Sequence, residues 1–145
     1  MLFSTAGFNV VGFDFAPSAI ERARATAKAR ELDVQFLQRN IFELEAEFLN
    51  SFDYVLEHTC FCTIDATLRP QYVQVVKKLL RPNGQLIALF FTHRRTSGPP
   101  FGIKPQAILD LFTPHFDVIL FKVAKDSIAN RKGEEHLAIF QVQSS

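Results

Sequence analysis

The stretch Leu79-Leu80-Arg81-Pro82-Asn83-Gly84-Gln85-Leu86 marks the point where one hydrophobic period gives way to another. Upstream of it, Tyr72, Val75, Val76, Leu79 and Leu80 recur at the i, i+3, i+4, i+7, i+8 spacing of a single helix face that begins at Pro70. Downstream, Gln85 to Thr92 is an apolar run of strand length. Between them, Pro82 cannot continue a helix and Asn83-Gly84 is a turn-forming pair, so the helix stops and a strand starts within four residues. A helix delivered directly into a buried strand is half of a strand–helix–strand crossover.

The same grammar extends outward in both directions. Phe8 to Phe13 is a short apolar strand ending at Asp14, and Pro17 stands where a helix begins, because proline's missing N–H costs nothing in a first turn. That helix is expected to run to about Leu32, with Ala19, Ile20, Ala23 and Ala27 on its apolar stripe. Val34 to Leu37 reads as a second strand, followed by Asn40, Ile41 and an acidic stretch of undefined form up to Asn50; Phe52 to Leu56 reads as a third. Beyond a Gly/Pro-rich loop from Gly98 to Pro105, Ile108, Leu111 and Phe112 mark a short helix. Phe116 to Val123 and His136 to Val142 then form two closing strands. Alternating strands and helices of this kind predict right-handed crossovers and an α/β three-layer sandwich, its sheet mostly parallel with an antiparallel C-terminal strand, in a single domain over residues 1–145.

Composition narrows the function classes. Apolar residues make up 48% of the chain, with sixteen Phe and no Trp, which supplies a globular core. The formal charge of +1 and the lack of any long block of like charge argue against a nucleic-acid partner. The longest apolar runs fall far short of the ~20 residues of a membrane span, and the N-terminus does not read as a signal peptide. A cytoplasmic protein is therefore expected; the oligomeric state is not legible. Cys60 and Cys62 lie only two apart, on one face if the third strand extends through them, and form a poor disulfide framework.

In open α/β sheets ligands bind beyond the carboxyl ends of the strands, so residues 14, 40 and 57 to 62 are expected to converge on one crevice. Asp14 has two readings: a carboxylate that accepts both hydroxyls of a ribose, or a cap for the helix that follows it. Glu57, at the end of its strand, reads by itself as a solvated carboxylate at a strand terminus. His58 is a candidate proton acceptor, although neighbours in a strand face opposite ways. His58, Cys60 and Cys62 do not supply the four ligands of a zinc site, and no metal is expected.

Val10-Val11-Gly12-Phe13-Asp14, Phe52-Asp53-Tyr54-Val55-Leu56 and Leu80-Arg81-Pro82-Asn83-Gly84 resemble, in order, successive motifs of class I S-adenosylmethionine-dependent methyltransferases. Phe61-Cys62-Thr63-Ile64 with Arg69-Pro70, then Gly98-Pro99-Pro100-Phe101 and Arg131-Lys132-Gly133-Glu134, are similar to the thiopurine S-methyltransferase family and its halide and thiol methyltransferase branch. The resemblance implies S-adenosyl-L-methionine as cofactor and a small nucleophile as acceptor: a thiol, thiocyanate, a halide or a thiopurine. It implies that Asp14 and Phe15 meet the ribose, that Asn40 and Ile41 meet the adenine, and that Glu57 stands near the methionine end. Phe61, Cys62, Phe91, Pro99, Pro100 and Phe101 would wall the acceptor pocket; the other reading of these residues is ordinary core.

Two departures from the family pattern stand out. Asn40 occupies a position where many relatives carry Asp. The Gly-x-Gly-x-Gly loop and the strand before it are not found, since only Met1 to Gly7 precede the second strand of the pattern. Their absence implies a fragment or a mis-started reading frame, with two inner strand edges left unpaired; a chain complete as it stands is expected to bind the cofactor weakly. Two rival readings follow: a catalytically impaired methyltransferase-like remnant acting as a binding module, and a nicotinamide-dependent oxidoreductase, whose ribose acid also follows a second strand.

Overall fold

The computed structural model describes residues 2–58, 60–93, 95 and 98–143. The chain divides into two compact units, Met1–Leu44 and Glu45–Ser145.

In the first unit, a short helix α1 (Leu2–Thr5) precedes β1 (Val10–Asp14), α2 (Pro17–Ala29) and β2 (Val34–Gln38). Pro17 opens α2 as its position predicts, and Ile20 and Ala27 are the residues it buries. The helix ends three residues before Leu32 because Glu31 adopts a positive φ of 54°, which breaks the helical path. β1 and β2 pair in parallel, with Val10 opposite Val34 and Asp14 opposite Gln38. Gly12 is required by this pairing: a Cβ there would stand 2.6 Å from the Phe36 ring. Beyond β2, Ile41–Glu43 forms a turn of 3-10 helix, giving the acidic stretch a defined start.

In the second unit, the short helix α3 (Glu45–Phe48) leads to β3 (Phe52–His58), α4 (Arg69–Leu79), β4 (Leu80–Phe91), α5 (Pro105–Phe112), β5 (Phe116–Val123) and β6 (Glu135–Val142). The sheet order is β3-β4-β6-β5. β3 and β4 are parallel, and β6 runs antiparallel to both β4 and β5. Three strands therefore share one direction and the C-terminal strand opposes them. Among the described residues, β1 pairs only with β2, and β3 only with β4.

Leu80 is the first residue of β4, paired with Phe52, although its spacing fits the α4 face. The next paired residue of β4 is Gln85, opposite Tyr54, so Arg81-Pro82-Asn83-Gly84 form an excursion between the two ladder contacts. Asn83 takes a left-handed φ of 65°, which asparagine tolerates better than most residues. At Gly84 a Cβ would lie 2.8 Å from the Arg81 carbonyl, so the turn closes only around glycine.

The core of this unit is aromatic. Phe112 of α5 packs against Phe61, Phe90, Phe116 and Phe140 at centroid separations of 5.2 to 6.2 Å, mostly tilted or edge-on. Tyr72 of α4 joins the cluster through Phe61 at 5.3 Å. Leu86, Ala88 and Phe90 alternate into this core along β4, while Gln85, Ile87 and Leu89 on the opposite face are only half-buried.

Candidate functional site

Within the first unit, the carboxyl ends of β1 and β2 lie side by side, because the parallel register sets Asp14 beside Gln38. Arg39 N–H donates to the Asp14 carbonyl at 3.0 Å, and the Gln38 amide donates to the Phe15 carbonyl at 3.3 Å. Asp14, Phe15, Asn40 and Ile41 are thereby gathered at one rim. The Asp14 side chain is exposed and its Oδ1 accepts from Ala16 N–H at 2.9 Å, so it stabilises the chain's entry into α2. The ring of Phe15 is 72% exposed, an apolar surface at the mouth of this rim. Asn40 accepts from Phe42 N–H through Oδ1 at 3.0 Å, capping the Ile41–Glu43 turn. One lone pair of that oxygen is thus occupied, while the amide N–H groups point the side chain's donor capacity elsewhere.

Within the second unit, β3 ends at His58, and Phe61–Thr63 is a 3-10 turn. Cys60 and Cys62 therefore stand in a turn and not in an extended strand, contrary to the expectation that they share a strand face with His58. The tight turn buries Phe61 and Cys62 and leaves Cys60 half-buried. Its anchor is Glu57, which is 3% exposed and accepts from the backbone N–H of Phe61. The reading of Glu57 as a solvated carboxylate does not hold. Burial pushes its carboxyl up to about 7, against the pull of hydrogen bonds from Phe61 N–H, the Tyr72 hydroxyl and the Cys60 backbone. The Cys62 thiol is also raised, first by burial and then by the neighbouring Glu57 charge, so it stays protonated at neutral pH. His58 is exposed at the strand end. Among the described residues no group of three His, Cys, Asp or Glu is placed to hold a metal. No helix among them is long and apolar enough to cross a membrane.

The loop after β4 returns to this turn. Phe101 N–H donates to the Cys62 carbonyl at 2.6 Å, and Arg69 donates to the Gly102 carbonyl at 3.2 Å, which sets Pro99, Pro100 and Phe101 beside Cys62. Phe91 lies under two cations: the guanidinium of Arg131 is 4.3 Å and that of Arg95 5.6 Å from its ring centroid. Phe61 is placed differently, deep in the aromatic core at 2% exposure. From the sequence Tyr72 is read only as part of the apolar face of α4, and His93 and the buried Glu135 carry no functional reading. His93 closely follows an apolar strand, a signal that could have found it; the Tyr72 hydroxyl and Glu135 carry no such local mark.

A separate hollow of about 390 Å³, lined by Asp53, Tyr54, Pro82, Asn83, Gly84 and Gln85, lies at the amino-terminal ends of β3 and β4. It is the wrong end of the strands for ligand binding in an α/β sheet. It holds instead the exposed Arg81–Asp53 ion pair at 3.0 Å.

Parallel strands joined by helices, with an acid at the end of β1 in the first unit and one opposed C-terminal strand in the second, are the elements of the Rossmann-like methyltransferase fold. Solved structures agree. A SAM-dependent methyltransferase from Methanosarcina mazei superposes with a TM-score of 0.85 at 16% identity, covering 99% of this chain and 86% of that one. The N-methyltransferase NodS from Bradyrhizobium japonicum, in complex with S-adenosyl-L-homocysteine, gives 0.75 at 18% identity, covering 94% and 67%.

Residues 1–145 match the thiopurine S-methyltransferase (TPMT) family, and the chain belongs to that family. It is 31% identical over 143 residues to probable thiol methyltransferase 2 of Arabidopsis thaliana, covering 94% of this chain and 62% of the relative. It is 30% identical over 132 residues to thiocyanate methyltransferase 1 of Brassica oleracea, covering 88% and 58%. The chain thus spans about three-fifths of the length of these relatives.

Proposed function

We propose that this chain serves S-adenosylmethionine-dependent transfer of a methyl group to a small soft nucleophile such as a thiol, thiocyanate, a halide or a thiopurine. Membership of the TPMT family across residues 1–145 carries the reading, and the named relatives act on a thiol and on thiocyanate. The residues present suit an adenosyl group. An exposed carboxylate at the end of β1 and an asparagine at the end of β2 stand together, with the Phe15 ring beside them. In this reading Asp14 accepts the ribose hydroxyls, Asn40 and Ile41 meet the adenine, and Phe15 covers the sugar. Asn40 still has one lone pair and its amide donors for this task, because only one acceptor site goes to Phe42.

When bound, the cofactor supplies a sulfonium whose positive charge makes its methyl group electrophilic. The protein's part is alignment and exclusion of water. Glu57 holds the turn that presents Cys62, and the Cys62–Phe101 bond brings Pro99, Pro100 and Phe101 alongside it as an apolar wall. A thiol that stays protonated does not compete with the acceptor for the methyl group, which suits Cys62 to line such a wall. Phe91 flanks the same wall under its two guanidinium groups, whereas Phe61 supports it from the core. No general base is assigned: thiolates and halide ions arrive without a proton to remove, and His58 is left without a chemical step.

The test is calorimetric titration of the chain with S-adenosyl-L-homocysteine and with NAD, followed by transfer of a labelled methyl group to thiocyanate and to thiophenol. Heat with the homocysteine compound alone, and label in methyl thiocyanate or thioanisole, is expected. A folded chain that gives no heat at millimolar ligand would overturn the reading.

A further inference from the structure

His93 sits two residues past β4 and is 3% exposed, and the proposed methyl transfer gives it no role. Its Nε2 lies 2.8 Å from the carbonyl oxygen of Pro100. A carbonyl only accepts, so Nε2 carries the proton. Its Nδ1 lies 3.1 Å from Arg95 N–H, which only donates, so Nδ1 is the acceptor. The two partners together define one neutral tautomer with both ring nitrogens satisfied. The ring is clamped on its flanks as well. Phe91 meets it edge-on at a centroid distance of 4.5 Å. On another side, a Cβ on Gly102 would collide with the His93 carbonyl and stand 2.8 Å from Nδ1. A residue held this tightly has one orientation, and that orientation fixes the backbone of Pro100.

We infer that His93 is a positioning residue for the methyl acceptor: its Nε2–H holds the Pro99-Pro100-Phe101 wall at the distance from Cys62 that the acceptor requires. The inference rests on the acceptor-pocket reading and adds the group that sets the pocket's width. Among the described residues, hydrogen bonds tie this wall and the adjoining Gly102 to the rest of the unit: His93 to Pro100, Phe101 N–H to the Cys62 carbonyl, and Arg69 to the Gly102 carbonyl. The His93 tie reaches Pro100, at the centre of the wall, through a side chain. A proline ring has no N–H of its own, so the Pro99–Pro100 pair can be held to the protein only through its carbonyls or by packing. Loosening this tie should widen the pocket, while the cofactor's ribose and adenine contacts are assigned to other residues, Asp14, Phe15, Asn40 and Ile41.

Two conservative variants separate the bonds. Gln places its amide nitrogen near the position of Nε2 and keeps the bond to Pro100, whereas Asn places its amide oxygen near Nδ1 and keeps only the bond to Arg95. His93→Gln is expected to leave the KM for thiocyanate within about threefold of the parent. His93→Asn should raise it up to about tenfold, the worth of one part-buried hydrogen bond, with kcat and the affinity for S-adenosyl-L-homocysteine unchanged. Amide exchange at Gly98, Phe101 and Gly102, the positions around the two prolines that carry an N–H, should quicken in His93→Asn and not in His93→Gln. Equal acceptor KM values for the two variants would overturn the inference, and so would faster exchange with no change in KM. If the parent chain binds the homocysteine compound but methylates neither thiocyanate nor thiophenol, the acceptor reading fails first, and the role of His93 falls with it.

Discussion

Glu57 and Phe61 are joined across four residues by a hydrogen bond from the Phe61 backbone N–H to the Glu57 carboxylate, which closes the chain back on the end of β3. The Tyr72 hydroxyl approaches the same carboxylate from α4. A single buried acid thus ties a strand end, a turn and a helix. Burial favours its protonated form, which raises the group from 4.5 to about 7 in the folded chain. The stability it contributes is therefore fully present below about pH 4.5 and is lost as pH rises through 7. The full rise corresponds to roughly 3 kcal/mol. Urea unfolding of the parent should show falling stability between pH 5 and pH 8.5 from this group. Glu57→Gln, which keeps an acceptor for Phe61 N–H without the charge, should flatten that fall and exceed the parent's stability at pH 8.5.

Asp14 is exposed, and its capping bond to Ala16 is local, so its replacement should cost the fold little. Asp14→Asn keeps a side-chain oxygen for Ala16 N–H but loses the charge and the second acceptor oxygen. Calorimetry should show affinity for S-adenosyl-L-homocysteine falling by about tenfold or more, while stability changes by under about 1 kcal/mol. Equal affinities in the two proteins would remove Asp14 from the cofactor site.

These two residues also show which parts of the molecule the sequence discloses. Asp14 was legible because strand, acid and helix-starting proline stand in consecutive order. The bounds of β5 at Phe116 and Val123 were legible for a similar reason, since turn residues flank a mostly apolar run broken only by Asp117 and Lys122. Leu80 misled because burial on a helix face and burial in a strand demand the same apolar residue, and only the pairing with Phe52 decides between them. The turn at Cys60 was hidden because it contains neither glycine nor proline; its cause is the Glu57 carboxylate, whose partners are set by tertiary folding. His93 was hidden in the same way, since its partner is a backbone carbonyl that any residue at position 100 would supply.

Phe112 is fully buried and touches four other phenylalanine rings. Phe112→Ala should cost about 3–5 kcal/mol, a large share of the 5–15 kcal/mol that holds a domain together. Phe112→Leu, which retains most of the volume, should cost much less, on the order of 1–2 kcal/mol. Urea midpoints for the two variants give the comparison. Similar losses for both would mean that ring geometry, and not filled volume, dominates this core.

The last case concerns a buried charge. Glu135, at the start of β6, is 2% exposed, and the Arg131 guanidinium stands 3.7 Å from its carboxylate while lying over Phe91. Arg131→Met leaves that carboxylate without its cation and removes the contact to the ring. Uncompensated buried charge is expensive, so the substitution should destabilise by about 3 kcal/mol. Neutralising the stranded acid should undo much of this: the double substitution Arg131→Met with Glu135→Gln is expected to recover at least about 1 kcal/mol relative to Arg131→Met alone. A double-mutant cycle in urea measures the coupling directly. If the two losses simply add, the pair contributes nothing through charge, and Arg131 acts at this position only by packing on Phe91.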